Sequence, residues 1–133
     1  MTQQARGPFD VKIAPQKPDN AQAEGAGIAR MSIDKQFHGD LEAVSQGEML
    51  AIRTDTANSA GYVAIERVTG MLHRRKGSFV FQHSSTMNRG VPTQSILVVP
   101  DSGTDELVGL GGAMTIVIAE GGAHSYVFDY ILA

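Results

Sequence analysis

Apolar and polar residues alternate with a period of two along much of this chain, and short polar segments separate the alternating stretches. Successive side chains of a β-strand point to opposite faces of a sheet, so this alternation predicts strands, and no long helical period competes with it. The clearest stretches are FDVKIA (9–14), IARMSIDKQF (28–37), GYVAIERVTGML (61–72), GSFVFQHSSTM (77–87) and HSYVFDYILA (124–133). With the segments between them, they predict about eight strands.

Short polar or glycine-rich turns join most of these stretches, which favours antiparallel pairing of consecutive strands. A single antiparallel sheet of this many strands tends to close, because closure removes its exposed edges. The sequence therefore predicts an all-β fold, a closed antiparallel eight-stranded meander barrel, with residues 1–133 as one domain. We expect residues 1–8 and the Pro- and Gly-containing loop 15–27 to be flexible, and Gly47 indicates a turn or a bulge.

The hairpin built from 61–72 and 77–87 decides which of its side chains face the interior. If its loop has an even number of residues, Glu66 and His83 lie on the same face. That face also carries the aromatic residues Tyr62, Phe79 and Phe81. A carboxylate and an imidazole would then share an apolar cavity, where burial and a charged neighbour shift pKa values.

The position of the loop sets the register of this hairpin. With Arg75–Lys76 as a two-residue loop, Val68 lies opposite His83 and Glu66 is its diagonal neighbour. A loop with an odd number of residues would place Gln82 beside Glu66 instead. The sequence leaves both arrangements open.

Two other strands present a comparable face. In the last strand, one face is aromatic and is formed by His124, Tyr126, Phe128 and Tyr130. The side to which Asp129 belongs is left open, because Val127 and Ile131 share its face. In the segment 28–37, one charged residue falls on an otherwise apolar face, which is formed by Met31, Ile33, Lys35 and Phe37.

Composition excludes several classes of function. The chain has no cysteine, so a disulfide framework, a thiolate metal site and a cysteine nucleophile are excluded. The net charge of -3 argues against a nucleic-acid partner, despite the basic cluster HRRK (73–76). The four histidines lack metal-ligand spacing, so we expect no metal and no cofactor. No apolar run nears the roughly 20 residues that span a bilayer, and the N-terminus lacks a secretory signal, so we expect a cytoplasmic protein without a membrane partner.

Four blocks of the sequence carry a family resemblance: RMSIDKQFHGDLEAVSQGEML, GYVAIERVTGMLHRRKGSFVFQHSSTM, VVPDSGTDELVGLGGAMTI and HSYVFDYIL. Over residues 9 to 132 the chain resembles an uncharacterised bacterial family, a domain of unknown function, that is itself similar to the allene oxide cyclase barrel. Those cyclases bind an apolar fatty-acid epoxide inside a closed barrel and associate as oligomers. The resemblance implies an interior pocket and a homo-oligomer, but no motif carries a cyclase residue onto this chain.

These observations lead to one main hypothesis and two alternatives. The main hypothesis is a barrel that binds an apolar or amphipathic small molecule in its interior. The residues predicted to bind this ligand are Tyr62, Glu66, Phe79, Phe81, His83 and Tyr126. The first alternative is an isomerase or cyclase that uses Glu66 or His83 as its acid or base, although no catalytic residue is assigned. The second is a structural or interaction protein with a fully packed barrel.

Overall fold

A computed structural model describes residues 2–132 and contains eight strands, one short helix and one 3₁₀ turn. The strands are β1 (Gln3–Gln16), β2 (Ala29–Phe37), β3 (Leu41–Arg53), β4 (Ala60–Leu72), β5 (Arg75–Asn88), β6 (Val91–Val98), β7 (Gly111–Ile118) and β8 (His124–Ile131). The helix α1 spans Ala21–Gly25 and the 3₁₀ turn spans Asp105–Leu107. All strands pair antiparallel with their sequence neighbours, and β1 also pairs with β8. The predicted closed eight-stranded meander barrel is confirmed.

The first strand is longer than the alternation predicts. It begins at Gln3 rather than at Phe9, because residues 3–9 form the ladder with β8 that closes the barrel. Residues 3–8, which the sequence predicts to be flexible, are thus paired in a strand, while Met1 lies outside the described residues. Within 15–27, the chain forms α1, and the side chain of Asn20 caps it by accepting a hydrogen bond from the amide of Gln22.

The hairpin between β4 and β5 turns two residues earlier than predicted. Its loop is His73–Arg74, with Leu72 paired to Arg75, and not Arg75–Lys76. Both loop residues have positive φ, 45° and 69°, as a tight two-residue hairpin turn requires. Because both loops are even, the predicted faces are retained, and the odd-loop arrangement is excluded. The register differs: His83 lies opposite Ala64, and Glu66 remains its diagonal neighbour.

One end of the barrel is filled by side chains. Phe79, Phe81 and Phe128 pack against one another there, with ring centroids 5.0–5.8 Å apart. The 3₁₀ turn covers this end and buries Leu107 against the strands. The backbone of the segment is held to β5 where the Thr104 amide donates a hydrogen bond to the carbonyl of Ser78. The eight-stranded barrel thus has one closed end.

Gly47 does not form a turn or a bulge, because β3 continues through it and pairs it with Ile33 and Glu66. The absence of a side chain at this position instead allows β3 and β4 to approach each other closely. A Cβ atom at this position would lie 2.2 Å from the carbonyl oxygen of Ile65 and 2.7 Å from the Cβ of Glu66. The two strands could not keep their present separation with any larger residue here.

We expect Gly47→Ala to lower the free energy of unfolding by about 1–3 kcal/mol, because the added methyl group overpacks the β3–β4 contact. Gly61→Ala is the matched control, since a Cβ there would come no closer than 3.7 Å to its neighbours. The control should be neutral or slightly stabilising. Urea unfolding followed by circular dichroism measures both variants, and equal stability of the two would contradict this account of Gly47.

Candidate functional site

A cavity of about 350 Å³ lies at the end of the barrel opposite the 3₁₀ turn. This volume is at the lower end of the range for small-molecule sites in proteins. Most of its walls are apolar, formed by Phe9, Val11, Ile13, Ile33, Met49, Met87, Pro92, Ile116 and Ile118. The polar side chains that line it are Lys35, Tyr62, His83, Ser85, Gln94 and His124.

A buried carboxylate organises the floor of this cavity. Glu66 is 0% exposed, and both of its oxygens accept hydrogen bonds from neighbouring strands. Ser45 donates to Oε1 at 2.8 Å, and Lys35 donates to Oε2 at 2.8 Å. The Nε2 of His83 lies 2.5 Å from the same Oε2 and must be its donor, because an ionised carboxylate only accepts. We call these four residues the polar cluster.

The charges of the polar cluster are set by its contacts. Burial by itself would raise the pKa of Glu66. The hydrogen bond from His83 and the positive charge of Lys35 outweigh burial and lower the pKa to about 2. Glu66 is therefore a carboxylate at neutral pH. Burial, together with the negative charge of Glu66, raises the pKa of Tyr62.

The register of four consecutive strands brings the polar cluster together. Lys35 on β2 pairs directly with Ser45 on β3, and Glu66 on β4 pairs with Gly47, two residues further along β3. The ammonium group of Lys35 also lies 5.2 Å from the ring centroid of Phe9, within the range of a cation–π contact. Its aliphatic stem is covered, so the charged end is held at the cavity floor rather than in solvent.

The predicted ligand-binding residues separate into three groups. Tyr62 and His83 line the cavity. Glu66 bonds His83, as the shared face predicts, but it lies beneath the lining and is enclosed by its donors. Phe79, Phe81 and Tyr126 do not line the cavity, because they belong to the packed core of the barrel.

Tyr126 has a structural role within that core. Its hydroxyl group donates a hydrogen bond to the carbonyl of His38 and accepts one from the amide of Leu41. Burial raises the pKa of this phenol to about 12. The hydroxyl therefore stays protonated and holds the β2–β3 turn to β8.

Sequence reasoning did not include Lys35 and Ser45 in the site. The signal for Lys35 was present, because a lysine on the apolar face of β2 must find a partner when that face is buried. Ser45 carried no such signal, since small polar residues are common on either face of a strand. Only the β2–β3 register places its hydroxyl group beside Glu66.

Two further features are absent from residues 2–132. No group of three or more His, Asp or Glu side chains there is arranged to hold a metal ion. No helix in the same range is long and apolar enough to cross a bilayer.

The fold and site define a class: a closed antiparallel β-barrel with one packed end and, at the other end, a cavity above a buried charged cluster. The chain belongs to the family described as "Protein of unknown function (DUF3224)", whose model matches residues 5–130. This confirms the resemblance to an uncharacterised family. Kinship with the allene oxide cyclases stays a prediction.

A solved structure of a related protein has the same fold. The crystal structure of a protein of unknown function from the DUF3224 family of Shewanella oneidensis MR-1 is 44% identical to this chain. It covers 100% of this chain and 99% of its own, with a TM-score of 0.91. No curated protein matches the chain.

The lowered pKa of Glu66 predicts how stability changes in acid. A carboxyl group whose pKa is lower in the folded than in the unfolded state stabilises the fold above its unfolded pKa. That contribution is lost as the pH falls from about 4.5 to about 2. We expect the stability difference between wild type and Glu66→Gln to shrink by about 3 kcal/mol at most across this window.

Urea unfolding at several pH values, followed by circular dichroism, measures this difference. Glu120→Gln is the control, because its carboxylate is exposed in the β7–β8 turn. The control should follow the wild-type curve in parallel. A difference between wild type and Glu66→Gln that stays constant from pH 4.5 to 2 would contradict the assigned ionisation.

Proposed function

We propose that this protein binds an apolar or amphipathic small molecule in the cavity at the open end of its barrel. The observation that carries the proposal is a cavity of about 350 Å³ with largely apolar walls and a few polar groups, of which Lys35 and His83 are buried at its floor. Ligand sites in proteins commonly combine apolar surface for affinity with a few fixed polar groups for orientation.

The contrast between the two ends of the barrel supports the proposal over a purely structural role. At the closed end the interior is packed, with Phe79, Phe81 and Phe128 less than 2% exposed. Around the cavity, Ile13 is 50% exposed and Ile118 is 64% exposed. Exposed apolar surface around a concave site favours the binding of a small molecule there, because binding removes that surface from water.

A second candidate is an isomerase or cyclase that works by proton transfer. It is favoured by the hydrogen bond that orients the imidazole of His83 against a buried carboxylate. In this candidate His83 exchanges the proton with the ligand, since it lines the cavity. Glu66 is enclosed and acts as the positioning residue.

Methionine and isoleucine methyl groups allow binding to be tested by NMR. With octan-1-ol as the probe, we expect shifts at Met49, Met87 and Ile116, which line the cavity. Met71 is the internal control, because it is exposed on β4, outside the lining. Shifts that appear only at Met71, or at no methyl group, would contradict a site in the barrel.

A pair of substitutions on neighbouring positions of β5 tests the location. Ser85 lines the cavity, whereas Ser84 points outward and is exposed. Ser85→Phe should fill the cavity and weaken octan-1-ol binding about tenfold or more, while Ser84→Phe should leave it unchanged. Equal weakening by both variants would place the binding elsewhere.

The two candidates are distinguished by Glu66→Gln. A binding protein should keep most of its affinity for a neutral ligand, because Glu66 lies beneath the lining. A proton-transfer enzyme should lose turnover while binding is retained. Native mass spectrometry of the protein purified from cells identifies the co-purified molecule on which turnover is then measured.

A further inference from the structure

Most of the ionisable groups that line the cavity are basic. Three of them are basic, Lys35, His83 and His124, and within the described chain no Asp or Glu side chain belongs to the lining. The protein as a whole has a net charge of -3, so this basic lining is a local feature. A site that is more basic than the surrounding protein attracts anions.

The one carboxylate of the polar cluster is already saturated. Glu66 accepts from Ser45, Lys35 and His83, and it is 0% exposed. The ammonium group of Lys35 has three donor hydrogens and uses one for Glu66. No other acceptor for this group lies among residues 2–132, so two donors remain for a molecule in the cavity.

Two of the basic groups lie at the bottom of the cavity. Lys35 is 8% exposed and His83 is 3% exposed, as deeply buried as the apolar Phe9 and Ile33 beside them. The mouth is largely apolar, since Ile13 and Ile118 are at least half exposed, although the half-buried His124 pairs with Ile118 there. An amphipathic ligand matches both regions only if its polar end enters first.

We propose that the ligand carries an anionic group, a carboxylate in the simplest case, which binds Lys35 and His83 at the floor while its apolar part lies along the mouth. The inference rests on the proposed function and adds to it the class and orientation of the ligand. With the ligand bound, its carboxylate and that of Glu66 face the ammonium group of Lys35 and the imidazole of His83. Tyr62 and His124 are the other titratable groups of the lining, and Ile96, opposite His83 on β6, is uncharged.

The class of ligand is tested with three probes of equal chain length: octanoate, octan-1-ol and n-octylamine. Dissociation constants come from methyl NMR titration at fixed pH and ionic strength. We expect octanoate to bind about tenfold more tightly than octan-1-ol, and n-octylamine to bind most weakly. If octan-1-ol binds as tightly as octanoate, the anionic class is wrong and the proposed function stands. If neither octanoate nor octan-1-ol binds in the cavity, both are wrong.

A double variant tests the role of Lys35. Lys35→Met alone removes one donor from a buried carboxylate and is expected to destabilise the fold, so it is combined with Glu66→Gln, which leaves no buried charge unpaired. The double variant should bind octanoate and octan-1-ol about equally tightly, and it should keep the wild-type affinity for octan-1-ol. Lys12→Met, which removes an exposed lysine from β1, should keep the preference. An unchanged preference in the double variant would overturn the assignment.

Orientation is measured on the wild-type protein, so the test does not depend on a variant that folds. Intermolecular NOEs should connect the terminal methyl group of octanoate to Ile118 and Met87 at the mouth. The protons next to its carboxylate should contact Ile33, which is 5% exposed. The opposite pattern, with the carboxylate at the mouth, would overturn the proposal.

Discussion

The hydrogen bonds to the Glu66 carboxylate are the interaction on which the arrangement of this barrel depends. Donors from β2, β3 and β5 converge on a side chain of β4, so four consecutive strands are tied at one level of the interior. A slip of one residue in any of these ladders would turn a member of the polar cluster outward and leave a buried charge without its partners. The same constraint requires a glycine at position 47, because the strand beside Glu66 has no space for a side chain.

The polar cluster also divides the interior into two parts with different properties. Beyond it on one side, aromatic rings and the 3₁₀ turn fill the barrel. On the other side, the walls remain apolar but do not meet, and they leave the cavity. The interior of an eight-stranded barrel can be filled by side chains or can hold one small ligand. In this protein the end covered by the 3₁₀ turn is filled by side chains, and the opposite end has a cavity large enough for a small molecule.

Membership of the family supports the assignment of the fold and gives no information on an activity. A relative that is 44% identical over the full chain has the same architecture, yet it too is described as a protein of unknown function. Because one fold can host many functions, we infer a ligand from the site itself. The saturated carboxylate, the donors of Lys35 that remain free among the described residues, and the largely apolar mouth support this inference.

The sequence by itself determined the strands and the barrel, because side-chain direction in a strand follows a period of two regardless of distant contacts. It left open whether Glu66 and His83 share a face, since that depends on an even number of residues in the β4–β5 loop, which only the structure shows. It did not determine the position of the β4–β5 loop, since His73 and Arg74 adopt positive φ without the glycine or asparagine that usually marks such a turn. Nor did it place Ser45 beside Glu66 or Phe79 outside the cavity. Those outcomes depend on the register between strands and on depth along the barrel axis, and both are set only when distant side chains pack against one another.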